Sequence, residues 1–221
     1  MSTTRLLVLG AVRIFQPAHG YLVRRELVTW HVDDWANLNP GSIYNALRTL
    51  ARDGLLEEAE AEIAVGGTGP GARVTYRLTP DGETEFLRLV RDALWKLHPF
   101  EPSRLAAGIS FWWVLSREEV LAALAARRAQ LEAELSGIGY AVDDVRQHAI
   151  TPDHVVEHFL LHGHKLRGEV DWVDEVRGRI DGGAYAFAGE DAYPANALPA
   201  SASGSGKGLA SRSGLASRPP K

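Results

Sequence analysis

Asn39-Pro40-Gly41-Ser42-Ile43-Tyr44-Asn45-Ala46-Leu47-Arg48-Thr49-Leu50-Ala51-Arg52-Asp53-Gly54-Leu55-Leu56 is the stretch on which the reading of this chain turns. Asparagine is a strong helix N-cap, because its side-chain oxygen accepts from unpaired N–H groups of the first turn. Proline at the next position gives up an N–H that has no intrahelical acceptor. Ile43, Leu47 and Leu50 recur at the 3.6-residue period and predict a core-facing stripe, with Asp53-Gly54 as the stop. If that stripe points inward, Ser42, Asn45, Arg48, Thr49 and Arg52 point outward, with Tyr44 at the edge. Arginine can take guanine bidentately, asparagine can take adenine, and the hydroxyls can hold phosphate oxygens. Each of these residue types is also common on a plain solvated helix, so the flanking sequence has to decide.

Upstream, Leu6, Leu7, Leu9, Ala11, Val12 and Ile14 predict a first helix ended by Gln16-Pro17, and His19 to Leu27 predict a second. The quoted stretch is then the third. Downstream, Leu55 to Ile63 alternates apolar or small residues with glutamates, Gly66 to Gly71 is a turn-rich tip, and Arg73 to Leu78 alternates again, which predicts a hairpin. Thr79-Pro80 repeats the cap-and-proline device and opens a fourth helix with Phe86, Leu89, Val90, Leu94 and Leu97 on its apolar side, closed by Pro99 and Pro102. Three helices, a hairpin and a further helix follow the order of a winged helix-turn-helix domain. On the second strand, Arg73 and Arg77 are suited to meet phosphates beside the groove that the third helix would occupy.

The second half reads as all helical. Ser116-Arg117-Glu118-Glu119 is a capping box, and Leu121, Leu124, Leu131, Leu135 and Ile138 are spaced like a heptad seam. Thr151-Pro152-Asp153 caps a last long helix carrying Val155, Phe159, Leu166, Val170, Val173 and Ile180. Two such stripes require a partner surface, and a homodimer supplies one. Beyond about Gly189 the chain becomes Ala, Ser, Gly and Pro with scattered Lys207, Arg212, Arg218 and Lys221, too few apolar residues to offset ordering entropy. The expectation is a mainly α protein with a small β-hairpin: a winged helix-turn-helix domain over 1–98, a helical dimerisation domain over 99–188 and a disordered tail over 189–221.

Bulk properties narrow the function. With 221 residues the chain can build one large or two small cores. The absence of cysteine excludes thiolate sites and disulfides and suits a reducing cytoplasm. The apolar runs Leu6 to Ile14 and Leu105 to Leu115 fall far short of the roughly 20 residues a membrane span requires. A net charge of -4 argues against indiscriminate adhesion to nucleic acid, so any DNA contact must place its charges locally. Residues 1–54 do so modestly, with six arginines against four acidic residues. No nucleophile elbow, phosphate loop or zinc-peptidase motif occurs, and no cofactor or enzymatic activity is expected.

His19-Gly20-Tyr21, Pro40-Gly41-Ser42-Ile43-Tyr44-Asn45-Ala46-Leu47-Arg48-Thr49-Leu50, Asp53-Gly54-Leu55-Leu56 and Tyr76-Arg77-Leu78-Thr79-Pro80-Asp81-Gly82 together resemble the PadR-family transcriptional regulators, in order and spacing, over roughly residues 4–98. The resemblance implies a dimeric repressor on a palindromic promoter site in double-stranded DNA, read by the third helix, flanked by the wing and paired through C-terminal helices. Combined with the outward face read above, it makes Ser42, Tyr44, Asn45, Arg48, Thr49, Arg52 and Arg73 the expected DNA contacts. Where relatives place adjacent basic residues before the wing tyrosine, this chain has Val74 and Thr75 after Arg73.

Two further groups stand out. Trp95, Trp112 and Trp113 fall near the junction of the two halves, where an apolar ligand could lie between indole faces, and the family resemblance, by analogy with members that bind aromatic inducers, implies a small aromatic effector there, although core packing is the commoner use of such residues. His154, His158 and His162 recur at four-residue intervals, and two histidines one turn apart can chelate a divalent ion. One helix supplies only part of a coordination shell, and His162 also aligns with Phe159 and Leu166 in the seam. The rival functional readings are a metal-binding sensor or enzyme on that helix, and a winged helix that binds protein.

Overall fold

The computed structural model describes residues 3–60, 74–99, 101–148 and 152–191. Helix α1 (Thr3–Phe15) is the centre of the N-terminal half: Leu6, Leu7, Val8, Leu9, Ala11 and Val12 are all at most 2 % exposed. A helix apolar on every side has to be surrounded, and α2 (Gly20–Thr29), α4 (Pro40–Arg52) and α5 (Pro80–Trp95) pack around it. A short turn of helix, α3 (Val32–Trp35), joins α2 to α4.

Helix α4 begins where its cap dictates. The Ser42 N–H donates to Asn39 Oδ1 at 2.9 Å, with Pro40 next to the cap. It ends with Leu55 N–H donating to Leu50 O at 2.9 Å, across Gly54 in the left-handed region at φ 74°. Ile43, Leu47 and Leu50 are each 1 % exposed. Burying each such side chain contributes about 1.5–3 kcal/mol, against ~1 kcal/mol for a cap. The cap therefore sets where the helix starts, and the stripe sets which way it faces.

Strands β2 (Leu56–Glu60) and β3 (Val74–Leu78) pair antiparallel, with Leu56 opposite Leu78, Glu57 opposite Arg77 and Glu58 opposite Tyr76. The hairpin expectation stands, but the sheet has a third member. Strand β1 (Ala18–His19) pairs on the free edge of β3, giving the order β1-β3-β2. Two residues are too few for alternation to reveal a strand, and four are too few for α3 to show a period. The helix expected as third is accordingly α4. The hairpin tip and Arg73 lie outside the described residues.

Thr79 caps α5: its hydroxyl accepts from Gly82 N–H at 3.0 Å and donates to Gly54 O at 2.7 Å, tying the helix start to the root of the wing. A Cβ on Gly82 would collide with Leu55 O, which accounts for glycine after Asp81. Helix α6 (Ser103–Phe111) and a 3-10 turn (Trp112–Val114) lead to α7 (Arg117–Gln147); a second 3-10 turn (Asp153–Val155) opens α8 (Val156–Asp181). Ser116 Oγ accepts from Glu119 N–H at 3.2 Å, but the other half of the expected capping box is not made, because the Glu119 carboxylate pairs with Arg91 at 2.6 Å.

Helices α7 and α8 run antiparallel and pack on each other, bridged by Arg127–Glu169 and Arg128–Asp174, both at 2.6–2.7 Å. Much of the two stripes expected to face a second chain is consumed inside this one: Leu124, Leu131, Leu166, Val173 and Ile180 are buried, and Leu121, Leu135 and Ile138 half-buried. Toward the far end of the pair, Tyr140 and Leu161 remain 77 % and 58 % exposed. No helix among the described residues is long and apolar enough to cross a membrane.

The chain then doubles back. Gly183 and Tyr185 take positive φ values of 86° and 62°, and Phe187 becomes fully buried with its ring centroid 6.3 Å from that of Trp112. Arg117, at the start of α7, holds this strap. Its guanidinium lies 4.9 Å over the Phe187 ring, donates to both Glu190 carboxylate oxygens, and reaches the carbonyls of Ile180, Ala184 and Tyr185. Ala188 N–H is shared between Trp113 O and Leu115 O. Glu190, which the sequence reading put in the tail, is thus held by Arg117. Phe187→Ala should lower the unfolding free energy by about 3–5 kcal/mol in urea melts; an unchanged midpoint would contradict a structural strap.

Candidate nucleic-acid interface

With its apolar stripe fixed inward, the outer surface of α4 divides into two rows at helical spacing. Tyr44, Arg48 and Arg52 form one, and Ser42, Asn45 and Thr49 the other. Tyr44, Asn45, Arg48 and Arg52 are exposed, whereas Ser42 and Thr49 are half-buried. Ser42 is also partly committed: its hydroxyl donates to Asn39 Oδ1 at 3.0 Å. While the cap is intact it has acceptor capacity only, and cannot donate to a phosphate oxygen.

Each row has a neighbour that fixes its orientation. Ser42, Asn45 and Thr49 line a cleft with Thr4 and Arg5 of α1. Arg48 and Arg52 line another with Leu56 and Glu58 of the wing. Tyr44 lies over the start of α2, so close that a Cβ on Gly20 would stand 2.8 Å from its ring. The His-Gly-Tyr sequence therefore has a packing reason: Gly20 lets the edge of α4 settle against α2.

The arginines near this surface are not equivalent. Arg5 is committed to Asp53 at 3.1 Å and Glu85 at 3.4 Å, and Arg25 to Glu26 at 2.6 Å. Arg52 is 3.8 Å from Asp53 and its side chain is 76 % exposed. Among the described residues Arg48 has no carboxylate within ion-pair distance. Burial first, and then Glu58, push the Tyr76 hydroxyl above its ordinary pKa, while Arg48 acts in the opposite direction. This places both charges beside the wing tyrosine. Sequence reasoning did not single out Tyr21 (57 % exposed) or Glu58; tyrosine and glutamate on a surface carry no periodic signal that separates them from solvent-facing residues.

The match to known proteins falls on this part of the molecule: residues 8–88 fit the model of the Transcriptional regulator PadR-like family. The matched segment runs from α1 into α5 and contains α4 and the wing. Solved structures to which this chain is similar include Bacillus subtilis PadR in complex with operator DNA (16 % identity, covering 80 % of this chain and 98 % of that one, TM-score 0.31). They include the same protein with p-coumaric acid (18 %, 81 % and 99 %, TM-score 0.32) and a protein from Streptococcus mutans (14 %, 83 % and 98 %, TM-score 0.35). A comparison with curated protein sequences returns no match.

Outside the PadR-like segment the remaining candidates separate. The three tryptophans do not gather around one cavity. Trp112 is buried against Tyr185 and Phe187, so the strap occupies the aromatic slot. Trp113 is half-buried, donates Nε1–H to Ser110 O and lies 5.9 Å from the Arg13 guanidinium, and Trp95 is 37 % exposed at the end of α5. A cavity of about 430 Å³ does exist at the junction, between the segment after α5, α6, α7 and α8, but its walls are Leu97, Leu105, Leu131 and Leu166 with Arg127 and His162 at its polar side. His162 thus faces this space, while His154 and His158 are exposed, the latter edge-on to Phe159. Among the described residues no three His, Asp or Glu side chains are grouped to hold a metal ion.

Beside the cavity, Asp92 is ringed by Lys96 at 2.7 Å, His98 at 3.3 Å and Arg104 at 3.7 Å. Burial pushes the Asp92 carboxyl up, but Lys96, Arg104 and His98 together outweigh it and hold it below the usual value. Glu85 is likewise held low, chiefly by its hydrogen bond from Arg88. A carboxyl with a lower pKa folded than unfolded stabilises the fold above its unfolded value, and that contribution is lost as pH falls through the folded one. Thermal stability should therefore drop below about pH 4, and Asp92→Asn should flatten that acid limb. An acid limb as steep as the wild type's would contradict this arrangement.

Proposed function

We propose that the protein is a DNA-binding transcriptional regulator that acts as a homodimer on a palindromic promoter site, inside the cytoplasm, and represses until a small effector releases it. The observation that carries the reading is the outer face of α4: exposed Tyr44, Asn45, Arg48 and Arg52 above a buried stripe, inside the PadR-like segment. In this reading Arg48 and Asn45 read base edges, since their heads are exposed at the middle of the helix and they are the side chains suited to bidentate contact. Arg52, Tyr44 and Thr49 meet the backbone, Ser42 accepts at most through its oxygen, and Arg73 reaches a phosphate from the wing.

Two-fold sites need two recognition helices about one DNA turn apart, which is the reason for a dimer. Exposed Tyr140 and Leu161 on the helical pair offer apolar surface to a second copy. The division into a DNA-binding unit (1–98), a pairing unit (99–188) and a tail (189–221) is retained, with Glu190 attached to the middle one. For the effector, the junction cavity is better suited than the tryptophans: its volume lies within the usual range for small-ligand sites, and it touches both the segment after α5 and the α7–α8 pair. A ligand that fits better when those elements shift would change the spacing of the two α4 helices and trade DNA affinity for its own.

Selection of a binding sequence from random duplexes, followed by fluorescence anisotropy, tests the reading. Arg48→Ala should cost about 1–3 kcal/mol on the selected duplex and relax its sequence preference; Arg52→Ala should weaken all duplexes alike and reduce the salt slope by about one. If Arg48→Ala bound the selected duplex as wild type does across salt concentrations, α4 would not be the reader.

A further inference from the structure

The wing beside α4 is acidic where a DNA-binding surface is expected to be basic. Strand β2 carries Glu57, Glu58 and Glu60, and alternation places Glu57 and Glu58 on opposite faces. Glu57 stands opposite Arg77 across the ladder. Glu58 is turned toward α4 and shares one cleft with Leu56, Arg48 and Arg52. Two negative charges so near each other have different surroundings: one has an arginine across the strand, the other borders the proposed reading residues.

The register also fixes the neighbours of Glu58. Its cross-strand partner Tyr76 is 9 % exposed, and the Glu58 carboxylate lies close enough to help push the Tyr76 hydroxyl above its ordinary pKa. Among the described residues no cation lies within ion-pair distance of Glu58, so its charge is not cancelled, and Arg48 likewise keeps its own. The two face each other across an open cleft without closing into a salt bridge.

We propose that Glu58 is a specificity-determining residue of the DNA-reading face, a carboxylate that keeps phosphates away from Arg48 and leaves that arginine for a base edge. The role rests on the α4 reading above. Phosphates are present at every sequence, so an arginine free to take them gives affinity without discrimination. A phosphate drawn to Arg48 would also approach Glu58 and be repelled. A guanine edge in the groove carries no net charge and is penalised far less. The carboxylate therefore lowers nonspecific binding more than specific binding, in keeping with a chain whose net charge is -4.

The test uses the full chain and two duplexes of equal length, the selected one and a scrambled one, measured by fluorescence anisotropy at several salt concentrations. For Glu58→Gln the scrambled duplex should bind about threefold tighter or more, the expected size for removing one charge near a phosphate at the surface. The selected duplex should change less, so that the specificity ratio falls, and the salt slope on scrambled DNA should steepen. Glu57→Gln removes the same charge from the opposite face and should leave the ratio unchanged. Tyr76→Phe keeps the charge and removes only the neighbouring hydroxyl, and should lower the ratio by a smaller factor than Glu58→Gln. An unchanged ratio in Glu58→Gln, or an equal fall in Glu57→Gln, would overturn the assignment. If the wild type enriched no sequence at all, the α4 reading itself would fall, and this role with it.

Discussion

The face that α4 turns outward follows from the burial of Ile43, Leu47 and Leu50 against the N-terminal core. Three side chains at 1 % exposure fix the rotation of α4 about its axis, and with it which residues face out. A rotation of one residue, about 100°, would bury Arg48 or Tyr44 and expose leucine, at a cost of several kcal/mol. The cap at Asn39 and the left-handed turn at Gly54 limit the helix to 13 residues but do not orient it. Around that rotor the neighbours are arranged in sequence order: α2 supports Tyr44 through Gly20, α1 borders Asn45, and the wing borders Arg48.

The same half is joined to the α7–α8 pair by contacts of two kinds. Arg91 of α5 pairs with Glu119 of α7, and Arg127 of α7 donates to Lys96 O just beyond α5, so charged groups link the helix that follows the wing to the long pair. The strap adds an apolar link, with Phe187 under Arg117 and Ala188 bonded to the turn that carries Trp113, itself beside Arg13 of α1. Static contacts thus run from α7 and the strap to α5 and α1, and the cavity bounded by Leu105, Leu131 and Leu166 lies near them.

What the sequence revealed was what local chemistry decides. Asn39, Thr79 and Ser116 each accept from the N–H expected of a cap, because capping involves residues three apart and needs no tertiary information. The inward stripe of α4 and the existence of the β2–β3 hairpin were readable for the same reason. Features that depend on distant packing were not. Trp112 was expected near a ligand but is filled in by Phe187, a residue 75 positions on in a stretch without periodicity. The α7 and α8 stripes looked like a seam for a second chain, since a heptad pattern does not say whether its partner is the same chain or another. Glu58 was invisible as more than a solvated charge until the register set it opposite Tyr76 and beside Arg48.

The central claim, that the outer face of α4 enters a DNA groove, is tested most directly by backbone amide NMR shifts as the selected duplex is titrated into labelled protein. The account predicts that the largest shifts map to Tyr44, Asn45, Arg48, Thr49 and Arg52, with smaller ones at Tyr21 and along β2 and β3. Shifts concentrated on the exposed ends of α7 and α8, around Tyr140 and Leu161, with α4 unmoved, would contradict it.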